Sequence, residues 1–261
     1  MVWFYSQGAP SWWPFHIITI LRPTLNTERT TSIIVDNNAF TFYRHGWFPQ
    51  PDVWAARIAR IASRFKHRAY GVTIVLPDCP LDPLRTLVWA KHARWLCKHY
   101  RCMVVMHYDT LAEEELESVF ETYVADIEAD AYAVPLKLPL STGYNSLARR
   151  INVDPKLQKH VVRVATKVVG KHIHLMAPRK ETIVSMWHNI KSFDTTAWTR
   201  ASSKIKKQLG TISARNTTER ELMFALYVLS LAKAGVKFDT DLVALANAVA
   251  EEIIQKTRCT H

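Results

Sequence analysis

Four hydrophobic runs each close on an aspartate: SIIVD at Asp36, VTIVLPD at Asp78, MVVMHYD at Asp109 and IKSFD at Asp194. Carboxylates that converge on one place can move protons, attack an electrophilic carbon, or accept hydrogen bonds from a ring N–H. An aspartate also has a simpler use, capping the free backbone N–H groups at a helix start. Asp109, just ahead of the helix-like TLAEEELESVFETYV, is the best candidate for that simpler use.

Only a particular arrangement of elements brings such acids together. The runs are short, apolar and separated by stretches with helical spacing, the pattern of buried parallel strands alternating with helices. In an α/β barrel the loops after the strands build one mouth, so residues at strand ends share it. WFY and HIITIL are expected strands ahead of SIIVD, followed by a helix over 52–66, the strand VTIVLP, a helix over 83–98 and the strand MVVMH. The acidic helix over 110–127, the strand AYAVPL, a loop, a helix over 155–169, the strand HIHLM, a short helix over 180–188 and the strand SFD complete the alternation. From Trp198 the chain reads as wholly helical, with ELMFALYVLSLAKAG and TDLVALANAVAEEIIQ as an antiparallel pair. The expected organisation is a barrel catalytic domain over 1–197 and a basic helical extension over 198–261 packed on it.

Thirty-four Lys and Arg against 23 Asp and Glu give a formal charge of +11, which favours a polyanionic partner over an acidic or neutral small molecule alone. Between Trp198 and Arg220 lie Arg200, Lys204, Lys206, Lys207, Arg215 and Arg220, with Glu219 as the only acid, among Ser, Thr and Asn residues that also contact phosphates. A solvated helix face accounts for such a run equally well; the charge of the whole chain tips it toward nucleic acid. No uninterrupted apolar segment approaches membrane-spanning length, and MVWFY is followed by Ser, Gln, Gly and Pro rather than by a secretory core. A soluble, intracellular protein with no membrane partner is expected.

Cys79, Cys97, Cys102 and Cys259 form no CxxC pair, so reduced, partly buried thiols in a reducing compartment are expected, although His99 between Cys97 and Cys102 is a weak metal signal. His172 and His174 alternate in KHIHLM and as strand residues face one side, but two histidines do not fix a metal. No Gly-rich phosphate loop, dinucleotide fingerprint or nucleophile elbow is present.

VDNNAF at 35–40 resembles the D-[SN]-G-[AG]-F signature of the tRNA-guanine transglycosylase superfamily, especially its shorter DNA-modifying and viral relatives. The later pieces are similar in order: Pro77-Asp78 closing a strand, VVMHYDT where the family has a VVQG-like strand, AYAVPL, an HxLG-like stretch at HIHLMA, and an S-x-D element at Ser192 to Asp194. The match runs over roughly residues 30–197. It implies a TIM-type (β/α)8 barrel, regular or irregular, with a C-terminal helical extension.

The resemblance also implies a base-exchange reaction: guanine in a polynucleotide, DNA rather than tRNA by preference, replaced by a 7-deazaguanine derivative through a covalent aspartyl-glycosyl intermediate. By position Asp194 is the nucleophile and Asp36 the acid or base. Phe40 stacks on the base, Asp78 accepts hydrogen bonds from its edge, and His107 stands where the family commonly has a base-binding Gln. Three departures stand out. No CxCxxC zinc cluster follows Asp194, so no metal or cofactor is expected; Asn38 replaces the first Gly of the D-x-G motif; and HIHLMA lacks the Gly of HxLG. The basic residues Arg200, Lys204, Lys206, Lys207 and Arg215 are the candidates for holding the polymer. Two other functions fit barrel carboxylates, a nucleic-acid-binding barrel without catalysis and a glycoside hydrolase, and the +11 charge argues against the latter.

Overall fold

Eight short strands, each with an apolar middle, pair side by side in parallel and close on themselves. They are β1 (Trp3–Gln7), β2 (Phe15–Thr19), β3 (Ser32–Asp36), β4 (Gly71–Val75), β5 (Arg101–Val105), β6 (Ala131–Pro135), β7 (Ile173–Met176) and β8 (Ser192–Asp194). The computed structural model describes residues 1–25, 31–67, 69, 71–140, 145–200 and 217–259. Strand order follows chain order, and β8 returns to β1 with Tyr5 opposite Asp194. The protein is an α/β barrel of the TIM type.

Strand alternation sorts the side chains into two cores. Tyr5, Ile34, Val75, Met103, Val105 and Ala133, with Phe15, Ile17 and Met176 beside them, fill the barrel interior. Phe4, Ile33, Val35, Ile74, Cys102, Val104, Val134, Ile173, Leu175 and Phe193 face outward into the larger core under the helices. Ser32, Ile34 and Asp36 therefore share the inner face of β3, and Ser192 and Asp194 that of β8.

The outer helices are α1 (Ala39–His45), α2 (Pro51–Ser63), α3 (Pro83–His92), α4 (Glu113–Asp126), α5 (Asn145–Val153), α6 (Pro155–Val169), α7 (Lys180–Met186), α8 (Thr217–Lys233) and α9 (Thr240–Cys259). Local chemistry starts several of them. Asp82 and Asp154 accept the backbone N–H groups of Arg85 and Lys156 at 2.9 and 2.8 Å, and each precedes a proline in the first helical position. Asp109 does not do this for α4, which begins at Glu113 without a side-chain cap; Thr110 instead accepts from Ala112 N–H and donates to Glu115. The stretch expected as a loop before Pro155 contains α5, whose Ala148 and Ile151 are buried.

Among the described residues no helix joins β1 to β2 or β2 to β3, and α8 covers that side. Phe224 stacks on Phe4 with ring centroids 5.2 Å apart and meets Trp13 at 5.2 Å and Trp198 at 5.4 Å, while Phe4 stacks on Phe193 at 4.9 Å. Such ring pairs contribute about 0.5–1.5 kcal/mol each beyond the area they bury. The chain after β8 is thus built into the barrel wall. The thiol expectation fails at one pair: the short 3-10 turn Arg94–Lys98 folds back onto the start of β5, bringing the Cα atoms of Cys97 and Cys102 to 5.4 Å, and the two sulfurs are bonded. Cys79 is a free, buried thiol. Among the described residues no helix is long and apolar enough to cross a membrane.

Candidate active site

Asp36, Asp78, His107 and Asp194 all lie at or beyond the C-terminal ends of their strands, the end of the barrel where enzymes of this fold place their chemistry. Asp36 ends β3 on its inner face. One of its oxygens accepts the backbone N–H of Asn38 at 2.5 Å, an Asx turn that starts α1. Asn38 adopts the left-handed conformation at φ 63, where the family motif has glycine, and accepts the Leu21 N–H through Oδ1 at 3.0 Å. Burial pushes the Asp36 carboxyl up, the Asn38 N–H draws it partly back, and the charges of Asp78 and Asp194 raise it further, to about 6 from an ordinary 3.8. Asp36 is therefore within electrostatic reach of both Asp78 and Asp194.

Asp78 is 4% exposed and both its oxygens are engaged, Oδ1 by Asn37 Nδ2 at 2.5 Å and Oδ2 by His107 Nε2 at 2.6 Å. Asn37 anchors this pair. Its amide also donates to Leu76 O, its Oδ1 accepts the Ala39 N–H, and its backbone carbonyl accepts the Trp54 indole N–H. With Nε2 bonded to Asp78, Nδ1 of His107 is buried and has no hydrogen-bond partner among the described residues. On β8, Asp194 Oδ1 accepts from Nε2 of His174, a β7 residue 2% exposed, whose Nδ1 pairs with Ser192 Oγ. Phe40, on the first turn of α1, is 39% exposed.

Several of the sequence candidates are thus drawn together, and others fall elsewhere. Asp109 stands apart from the network, in the wall of a cleft of about 490 Å³ with Tyr43, Cys79 and Arg85. A second cleft, of about 730 Å³, opens over the ends of β1 and β2 and the start of α8. Neither cleft is lined by Asp36, Asp78 or Asp194. The basic residues Lys204, Lys206, Lys207 and Arg215 lie outside the described residues, as does the side chain of Arg200. Asn37 and Ser192 fall inside the VDNNAF and S-x-D elements, but neither motif says that Asn37 bonds Asp78 or that Ser192 bonds His174. The signal for His174 lies in the His172-x-His174 alternation, but only His174 belongs to β7 and is buried, whereas His172 precedes the strand and is exposed.

Among the described residues no group of three or more His, Cys, Asp or Glu is arranged to hold a metal, and the Cys97–Cys102 bond removes two thiols from any such set. The described residues alone do not make the zinc site usual in the transglycosylase family.

No protein-family model matches the chain, and no curated protein matches it. Solved structures similar in fold include a monomeric dihydrodipicolinate synthase variant, 14% identical with a TM-score of 0.43 over 97% of this chain and 96% of that one. Dihydrodipicolinate synthase from Aquifex aeolicus is 13% identical with a TM-score of 0.39, over 88% and 87%. Neither neighbour is a transglycosylase, and likeness at this level carries nothing about chemistry. The barrel assignment rests on the closed strand order itself.

Proposed function

We propose that this barrel exchanges a base in a polynucleotide, replacing guanine with a 7-deazaguanine derivative through a covalent aspartyl-glycosyl intermediate. The observation that carries the reading is the coupling of Asp36 to Asp78 and Asp194 at one barrel mouth, with Asp36 raised to about 6. Carboxylates held in unlike environments divide the roles of proton carrier and nucleophile between them. Asp194, gripped through one oxygen by His174, attacks C1′ of the nucleoside as the C1′–N9 bond breaks, and guanine departs with the bonding pair. Asp36 supplies a proton to the departing guanine. It then takes one from N9 of the incoming base, which attacks C1′ and expels Asp194.

The other residues recognise the base. Phe40 stacks on it, and His107 Nδ1 accepts one of its edge N–H groups, held in that tautomer by Asp78. This recasts Asp78 as the residue that orients His107, since both its oxygens are already engaged. DNA is the favoured polymer and tRNA the second choice, with Arg200, Lys204, Lys206, Lys207 and Arg215 as phosphate contacts.

The test is exchange of labelled guanine or 7-deazaguanine into DNA and tRNA. Asp194→Asn should abolish exchange and leave polymer binding largely intact, because a nucleophile contributes to rate rather than to phosphate contact. Unimpaired exchange by the variant overturns the assignment. Polymer binding without exchange by the unaltered protein favours a binding barrel instead.

A further inference from the structure

The 730 Å³ cleft over β1 and β2 has the size of sites that hold an organic ligand, roughly 300–1,000 Å³, and its cations are Arg22 and Arg220. Arg220 is held in place from two sides. A side-chain carbon at Gly8, whose φ is +69, would come within 2.9 Å of its Nη2, so the guanidinium lies directly on the backbone after β1. The guanidinium also stands over the Trp198 ring, with Cζ 5.8 Å from the centroid. Neither arginine forms an ion pair among the described residues. The lining holds a single carboxyl besides, that of Glu221.

Guanidiniums in the wall of an open cleft present paired N–H donors that match phosphate oxygens. The position of the cleft matters as much. Tyr5 pairs with Asp194 across the β1–β8 seam, and Gln7, two residues further along β1, lines the cleft. An extended chain with one sugar at Asp194 would lay its neighbouring linkage here.

We infer that this cleft is a phosphate-binding subsite, in which Arg22 and Arg220 hold the phosphodiester next to the nucleotide presented to Asp194. The polymeric character of the ligand rests on the transglycosylase reading, whereas the phosphate chemistry rests on the cleft alone.

The experiment titrates the full-length protein with single-stranded DNA, duplex DNA and tRNA over a range of salt, and with guanosine monophosphate by calorimetry. The variants are Arg22→Ala, Arg220→Ala and Arg220→Lys, with Arg60→Ala on the exposed face of α2 as control and thermal melting as the check on folding. Each alanine variant should weaken polymer binding about tenfold and lower the salt slope by about 0.7–0.9 for each phosphate no longer neutralised. Arg220→Lys should recover part of the affinity, and Arg60→Ala should change nothing. Polymer binding that neither alanine variant alters overturns the cleft and leaves the transglycosylase reading standing. Binding of guanosine monophosphate alone, abolished in the alanine variants, supports the phosphate site and overturns its polymeric ligand. Binding of neither ligand by the unaltered protein overturns both.

Discussion

His174 Nε2 lies 3.1 Å from Asp194 Oδ1 across the β7–β8 pairing, and Nδ1 of the same ring meets Ser192 Oγ at 2.9 Å. The ring bridges the carboxylate and the serine hydroxyl, and Ser192, His174 and Asp194 form a hydrogen-bonded chain on the inner wall. One oxygen of Asp194 is thereby held by the ring. His174→Ala should lower base exchange by about a hundredfold through loss of orientation, with polymer affinity unchanged. His174→Gln, which still offers an N–H, should restore part of the rate. A loss of stability with full turnover in the folded protein would mean that the ring is only structural.

Asp36 gives a pH signature. Its carboxyl sits at about 6 in the fold, above the value of an unfolded chain, so the native state binds the extra proton between the two. Stability from this group is complete below about pH 4 and is lost as pH rises through 6. Asp36→Asn removes the titration. Chemical denaturation from pH 4 to pH 8 should show the variant gaining on the wild type by up to about 3 kcal/mol, nearly all of it by pH 7. A difference independent of pH would refute the raised carboxyl.

Asn37 ties four partners into one knot, and its removal leaves buried polar groups on Asp78, Leu76 and Ala39 short of a bond. Asn37→Ala should cost about 3 kcal/mol in urea unfolding. Asn37→Asp sets a second carboxyl against Asp78, so its cost should exceed that of alanine at pH 8 and shrink at pH 4. Equal costs at both pH values would show that Asn37 and Asp78 are not bonded in solution.

Ala177, after β7, has φ 51, and its N–H donates to the Asp194 carbonyl at 2.9 Å. Ala177→Gly keeps that bond and removes the clash of Cβ in left-handed backbone. A net gain of about 0.5–1 kcal/mol is expected after the extra freedom of glycine in the unfolded chain is counted. Thermal unfolding of the glycine variant, alongside Ala177→Val as the strained opposite, measures it.

The strands and their terminal acids are legible because short apolar runs have few other uses in a chain of this composition, and the proline-led helices because Asp82-Pro83 and Asp154-Pro155 announce them. Helix α5 is not legible: NSLARRINV is polar and brief, and what holds it is a distant contact, Asn152 bonding both the N–H and the carbonyl of Leu138. The His174–Asp194 and Asn37–Asp78 pairs depend on strand register and loop path. Motif order locates the acids, but it cannot say that Asp78 is already engaged or that Asp109 faces another cleft. The Cys97–Cys102 bond is hidden for the same reason, since it needs a turn and a strand start to meet.

The pairing of Tyr5 with Asp194 bears on how the molecule comes into being. Its two strands are separated by nearly the whole barrel sequence, and the eighth contributes only three residues to the seam. The pairing that positions Asp194 is therefore among the most distant in the chain, of the kind that slows folding because a long loop must close before anything is gained. A nascent chain lacking β8 would hold Asp36, Asp78 and His107 without Asp194. The arrival of Asp194 and the sealing of the wall are one event, so the complete carboxylate set exists only in a finished barrel.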